Sequence, residues 1–188
     1  MMKVYIVRHG QSINNRDKLW SGWMDIPLTE KGVTDAQKAG RVLSGVVFDK
    51  IYSSDLIRAR QTLETALPGC DYETSPMLRE VATGDITGKP ILPFTDEELR
   101  QMSEKGYAAF GGETREEFRG RVEGFMQKLE KSEFETVAIF SHAGWLRTFL
   151  NLVIGVNLPR DSVRCKNCTV GIFEYEKGQW SLHSWINV

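Results

Sequence analysis

Three cysteines in 188 residues, Cys70, Cys165 and Cys168, are too few and too unevenly placed for a disulfide framework, which fits a reducing compartment. Neither sign of charge is in excess: 24 Lys plus Arg stand against 25 Asp plus Glu, a formal net charge of −1. The whole molecule therefore has no field that gathers nucleic acid or an anionic membrane. Any bound anion must be met by a local cluster. Long apolar runs are missing too. The uncharged stretches 136–146 and 148–159 fall well short of the ~20 residues a membrane span needs. The apolar run near the start ends at Arg8 and His9, so no secretory leader is expected and a cytoplasmic location is. There is no internal repeat, low-complexity tract or Ser/Pro linker, and at roughly 150 residues per domain the length predicts one domain over 1–188. Gly-x-x-x-x-Gly-Lys-Ser/Thr and Gly-x-Gly-x-x-Gly are absent, so nucleotide-triphosphate and dinucleotide chemistry lack their usual loops. No cofactor and no metal are expected.

What is present is an ordinary globular composition, 41% hydrophobic and 26% charged, which excludes disordered, collagenous and coiled-coil classes. Val4-Tyr5-Ile6-Val7 reads as a buried strand ending in Arg8-His9-Gly10, and Thr136-Val137-Ala138-Ile139-Phe140 as another ending in Ser141-His142-Ala143-Gly144. Each delivers a histidine. Between them Val33, Ala36, Gly40, Leu43 and Val47 step at helical spacing behind a Thr29 N-cap, as do Phe118, Val122, Phe125 and Leu129. A strand over 49–53 precedes a helix over about 55–66. Segments 169–175 and 180–188 flank Glu176-Lys177-Gly178-Gln179 as a hairpin. The pattern predicts an α/β fold, a three-layer α/β/α sandwich with a mostly parallel central sheet and an antiparallel C-terminal margin. Ligands in such sheets bind beyond the carboxyl ends of the strands, where His9 and His142 emerge.

A neutral imidazole is a competent nucleophile near pH 7 when one nitrogen is free and the other is held by a hydrogen bond. Arg8 beside His9 points to an anionic electrophile. Phosphoryl transfer without a metal needs several cationic or donor groups around one point, and Arg8, Arg58 and His142 are candidates. Arg58 falls in the first turns of its helix, where anions are favoured. The plainer readings are a satisfied strand-end histidine for His9, a core histidine for His142 and a solvated surface arginine for Arg58.

Arg8-His9-Gly10-Gln11-Ser12-x-x-Asn15 resembles the signature of the histidine phosphatase superfamily, in its phosphoglycerate mutase-like branch. The likeness continues through Ser21-Gly22-Trp23-x-Asp25-x-Pro27-Leu28-Thr29-Glu30-Lys31-Gly32 and Ser53-Ser54-Asp55-x-x-Arg58-Ala59-x-Gln61-Thr62. Leu78-Arg79-Glu80-x-x-x-Gly84-Asp85-x-x-Gly88, Gly111-Gly112-Glu113-Thr114 and Ser141-His142-Ala143-Gly144 follow in the expected order. The resemblance implies His9 as the phosphorylated nucleophile and Glu80 as proton donor. It makes Arg8, Asn15, Arg58 and His142 the phosphate pocket, with Ser21, Gly22 and Ala143 as further substrate-binding positions. Two departures, Ile86-Thr87-Gly88 after Asp85 and Ala143 after the second histidine, bear on substrate identity more than on the reaction.

Mutases of this family keep the phosphohistidine dry until a second hydroxyl takes the phosphoryl group. Only 61 residues separate Glu80 from His142, whereas the glycolytic mutases resembled carry a longer covering insertion. The expectation is therefore a metal-independent phosphatase acting on a small phosphorylated metabolite, such as a sugar or sugar-acid phosphate. Mutase-type transfer and a non-catalytic phosphometabolite-binding protein are the alternatives. Glu80 could instead be an ion-pair partner of Arg8, Arg58 or Arg79. Cys165-Lys166-Asn167-Cys168 offers a thiol redox pair or half a zinc site, a weak signal without further ligands. Trp20, Trp23, Phe94 and Tyr107 line the entrance or, more simply, pack. Glu113 is read first as the acidic start of a helix, Asp96-Glu97-Glu98 as a solvated helix face, and His183, alternating with Ser181 and Trp185, has no role.

Overall fold

A computed structural model describes residues 1–159 and 162–188. Its sheet has the strand order β3-β2-β4-β1-β5-β6, with β1 Met2–Arg8, β2 Lys50–Ser53, β3 Glu73–Thr74, β4 Thr136–Ser141, β5 Val170–Glu176 and β6 Gln179–Ile186. The first four in space run parallel. β5 lies antiparallel to β1, and β6 antiparallel to β5. This is the α/β sandwich with an antiparallel margin that the sequence pattern predicts.

Both faces of the sheet are covered because its central strands are apolar on both faces. Val4 and Ile6 of β1 and Val137 and Ile139 of β4 face one core cluster. Alternate residues Val7, Ala138 and Phe140 face a second. The first cluster is completed by α5, Arg115–Glu130, and α6, Ala143–Ile154, through Val122, Phe125, Trp145 and Phe149. The second is completed by α2, Glu30–Val42, and α3, Ile57–Ala66, through Ala36, Ala39 and Leu63. Two more helices, α1 Ile13–Asp17 and α4 Asp96–Lys105, lie in the connections.

Local signals explain the boundaries. Thr29 caps α2 by accepting the Gly32 N–H at 3.1 Å, as predicted. The buried face of α2 is set by Gly32, Asp35, Ala36 and Ala39, so Val33 is 39% exposed, and Val47 lies beyond the helix and is 85% exposed. Gly32 replaces an apolar contact with a close approach, since a Cβ there would meet the Gln11 carbonyl oxygen at 2.2 Å. The helix expected from about 55 begins at Ile57. Its first N–H is accepted by Asp25 from a distant loop, while Asp55 is paired with Arg79. The polar tail after His9 forms α1, closed by a Ser12/Asn15 capping box that was not anticipated. Along β6 the register shifts opposite Ile172/Phe173. Strict alternation breaks there: Leu182 is 40% exposed and His183 pairs with Glu174 at 3.4 Å.

Candidate active site

β1 and β4 are adjacent and in register, Arg8 opposite Ser141, so the residues that follow each strand emerge side by side. The His9 N–H donates to the Ser141 carbonyl at 2.9 Å, and the His9 and His142 rings stand 5.2 Å apart between centroids. A cavity of about 540 Å³ opens above them, lined by Arg8, His9, Asn15, Ser21, Gly22, Arg58, Glu80 and Ala143. His142, fully buried, stands behind this surface against His9.

The hydrogen bonds fix the His9 tautomer. Its Nδ1 lies 2.7 Å from the Gly10 carbonyl, and a carbonyl only accepts, so Nδ1 carries the proton and Nε2 keeps its lone pair. Burial first, then the positive charges of Arg58 and Arg8, hold His9 well below the ordinary imidazole range. It is neutral at pH 7. Burial likewise depresses His142, aided by Arg58 and Arg8 among its neighbours. Ser54 Oγ lies 2.9 Å from His142 Nε2, and His142 Nδ1 has no partner among the described residues.

The cations are held by carbonyls rather than carboxylates. Arg58 is fully buried, not solvated, and donates to the Met24 and Gly22 carbonyls at 2.8 Å each. Burial lowers its guanidinium to about 10. Arg8 donates to the Cys165 carbonyl. Arg8 Nε, Arg58 Nε and Ser21 Oγ are buried without partners among the described residues. Because a buried polar group lacking a hydrogen bond costs about 1–3 kcal/mol, these unpaired donors beside one cavity are what an anionic ligand would offset. Asn15 Oδ1 accepts from Asn167 at 3.0 Å and from the Ser12 N–H at 3.3 Å, which commits the oxygen and leaves the amide N–H groups as donors.

Glu80 does not pair with an arginine among the described residues. Arg79 takes Asp55 instead, in a two-pronged pair of 2.6 and 2.8 Å. The Glu80 carboxylate accepts the Val81 N–H at 3.0 Å and the Gly144 N–H at 3.1 Å, the latter in the first turn of α6. Its backbone is clamped by Arg121, which donates to the Met77, Arg79 and Glu80 carbonyls at 2.7–3.1 Å. Arg121 in turn pairs with Glu113 at 2.9 Å. Glu113 thus belongs to the clamp, though it also lines the cavity.

Of the entrance aromatics, Trp20 and Tyr107 line the cavity and Phe94 stacks behind Trp20 at 5.8 Å. Trp23 does not line it: its indole donates to the Glu80 carbonyl at 2.7 Å, and the Arg79 guanidinium sits 4.8 Å over the ring. Cys165 and Cys168 are buried, burial pushes Cys168 up to about 12, and no cluster of three or more His, Cys, Asp or Glu side chains suited to a metal occurs among the described residues. Sequence reasoning missed Thr62, which accepts the Gly10 N–H at 2.9 Å, Asn167, which donates to the His9 carbonyl at 3.1 Å, and Arg147, a further cation in the cavity wall. Arg147 had a signal, since it alone separates two uncharged stretches.

A family model described as the histidine phosphatase superfamily, branch 1, matches residues 4–188. A Salmonella choleraesuis protein named probable phosphoglycerate mutase GpmB is 30% identical over 196 residues, covering 99% of this chain and 91% of its own. The crystal structure of an alpha-ribazole phosphatase from Shigella flexneri superposes with a TM-score of 0.79 at 27% identity, covering 97% of this chain and 95% of that one. A phosphoglycerate mutase from Bacillus anthracis gives 0.82 at 25% identity, covering 97% and 92%.

Proposed function

Since the chain belongs to the histidine phosphatase superfamily, we propose that it is a metal-independent phosphatase that hydrolyses small phosphate monoesters through a phosphohistidine on His9. The observation that carries this reading is the His9 tautomer: Nδ1 donates to Gly10 at 2.7 Å, so the unprotonated Nε2 is the nucleophilic nitrogen. The phosphoryl group sits among Arg8, Arg58 and Asn15, with His142 behind His9, and these donors replace a metal in meeting charge on the equatorial oxygens.

His9 Nε2 attacks phosphorus as the bond to the ester oxygen breaks, and Glu80 supplies a proton to the leaving alkoxide. Water then attacks the phosphohistidine, the ionised Glu80 takes its proton, and inorganic phosphate leaves with His9 restored. Hydrolysis is favoured over transfer to a second hydroxyl because the 61 residues between Glu80 and His142 contain, before α5, a single α-helix, α4, and two short 3-10 turns. The relatives named as mutases support keeping the transfer reading in the same test.

Brief mixing with labelled substrate and denaturation in base leaves label on His9, since a phosphoramidate survives base and is lost in acid. Label on another residue, or full activity in His9→Ala, overturns the reading. Product analysis in the presence of acceptor alcohols distinguishes the fates: phosphate release marks a phosphatase and a phosphorylated acceptor marks a mutase. Turnover persists under exhaustive chelation.

A further inference from the structure

The cavity exceeds what a phosphate needs. At about 540 Å³ it falls within the range of small-molecule sites, roughly 300–1,000 Å³, which leaves space for the alcohol half of an ester. One wall of that space is α6. Arg147, Thr148 and Asn151 line it, and at i, i+1 and i+4 they share one side of the helix, while Trp145, Leu146 and Phe149 enter the core. Arg147 is the one charged residue in this helix.

Among the described residues no carboxylate pairs with Arg147, and its Nε is buried without a hydrogen-bond partner. The two described carboxylates that line the cavity are committed elsewhere, Glu113 to Arg121 and Glu80 to backbone N–H groups. Arg8 repels Arg147, and Cys165, another group that feels its charge, is a thiol that burial pushes up and so keeps protonated. A single phosphoryl group held by Arg8 and Arg58 answers those two guanidiniums and leaves the third without a counter-charge. A guanidinium kept at a cavity wall under these conditions is suited to an anion that arrives with the substrate.

We propose that Arg147 binds a second anionic group, a carboxylate or phosphate on the alcohol half, so that the preferred substrates are phosphate monoesters of acidic alcohols. This rests on the proposed function for the phosphoryl end. It adds the substrate class and assigns Arg147 as the residue that sets it, with Thr148 and Asn151 as neutral hydrogen-bonding neighbours.

Matched esters test it. 3-Phosphoglycerate and glycerol 3-phosphate differ by a carboxylate against a hydroxymethyl group, and propane-1,3-diol bisphosphate against its monophosphate gives the phosphate arm. A charge-assisted hydrogen bond predicts a kcat/KM preference of roughly 10- to 150-fold for the acidic member of at least one pair. In Arg147→Ala that ratio falls to near one, and Arg147→Lys retains part of it. Arg147→Gln gives the same reading as Ala should the smaller residue not fold. Equal turnover of both members by the wild-type chain, or a parallel loss that preserves the ratio in the variants, overturns the proposal. Affinities of the same esters for His9→Ala report the preference without turnover. A charge preference in binding with no label on His9 therefore refutes the phosphohistidine and not Arg147.

Discussion

The Glu80 carboxylate and the Gly144 backbone are in direct contact: Oε2 accepts the Gly144 N–H at 3.1 Å, and a Cβ on Gly144 would lie 2.2 Å from Oε1. The residue two places after the second histidine is thereby what allows the Glu80 carboxylate to dock on the first turn of α6. A Cβ there is accommodated only if the Glu80 carboxylate moves, so this contact couples the β4–α6 corner to the β3–α4 connection.

Gly144→Ala is therefore expected to displace Glu80 while leaving His9 and the arginines in place. A positioned acid contributes typically 10²–10⁴-fold, so phosphoenzyme formation from an alkyl phosphate slows by about that factor, as it does in Glu80→Gln. With p-nitrophenyl phosphate, whose leaving group needs little protonation, the same step is spared in both variants. Rapid-quench measurement of the labelled enzyme checks it, and equal slowing with both substrates would make Glu80 a structural support of the pocket.

Much of this site was readable from strand ends. The apolar runs over 4–7 and 137–140 ahead of His9 and His142 indicate buried strands, and a parallel pair in register brings their final residues together. The Thr29 cap and the α5 periodicity were legible because each depends on neighbours in sequence. What escaped depends on contacts between distant segments: the Asp25 cap on α3, the Arg121 clamp on the Glu80 backbone and Asn167 bridging His9 and Asn15. Nothing in the local pattern around Asn167 distinguishes it from a turn residue. The ion pair considered for Glu80 went to Asp55 because Arg79 faces the start of α3, away from the cavity that Glu80 lines.

Stability should fall as pH drops below 6.5. His9 and His142 are held neutral in the folded chain, both far below the ordinary range, whereas in the unfolded chain each takes a proton near pH 6.5. The unfolded state then binds more protons, so unfolding free energy rises with pH across that window and is lost on acidification. Between pH 7.5 and 5.5 the two groups together account for roughly 2–3 kcal/mol. The carboxylates with lowered values, Asp55 and Asp35 among them, titrate below this window. Urea unfolding at the two pH values measures the drop, and His142→Asn halves it. A wild-type stability that is flat over this range contradicts neutral burial of the pair.

Arg58 separates a cost to folding from a gain in binding. It is fully buried, meets two carbonyls and no carboxylate, and has burial as the main cause of its lowered pKa. A buried cation with no carboxylate in direct contact, only Glu80 and Asp25 at longer range, opposes folding by several kcal/mol, and its two charge-assisted hydrogen bonds return roughly 1.5–3 kcal/mol each. Arg58→Met is accordingly expected to leave the stability of the ligand-free chain close to that of the wild type, even though the Gly22 and Met24 carbonyls lose their donor. In the wild type an anion that fills the cavity supplies the missing charge, so inorganic phosphate or vanadate raises Tm. In the variant that rise is lost, and turnover falls by about 10²–10³, as for removal of one donor to a transition-state oxyanion. Thermal unfolding with and without phosphate decides between two roles for the same side chain. If Arg58→Met is strongly destabilised when empty and still gains stability from phosphate, the guanidinium serves to hold the 20–28 loop. If it keeps its stability and ignores phosphate, Arg58 is the charge the substrate is bound by.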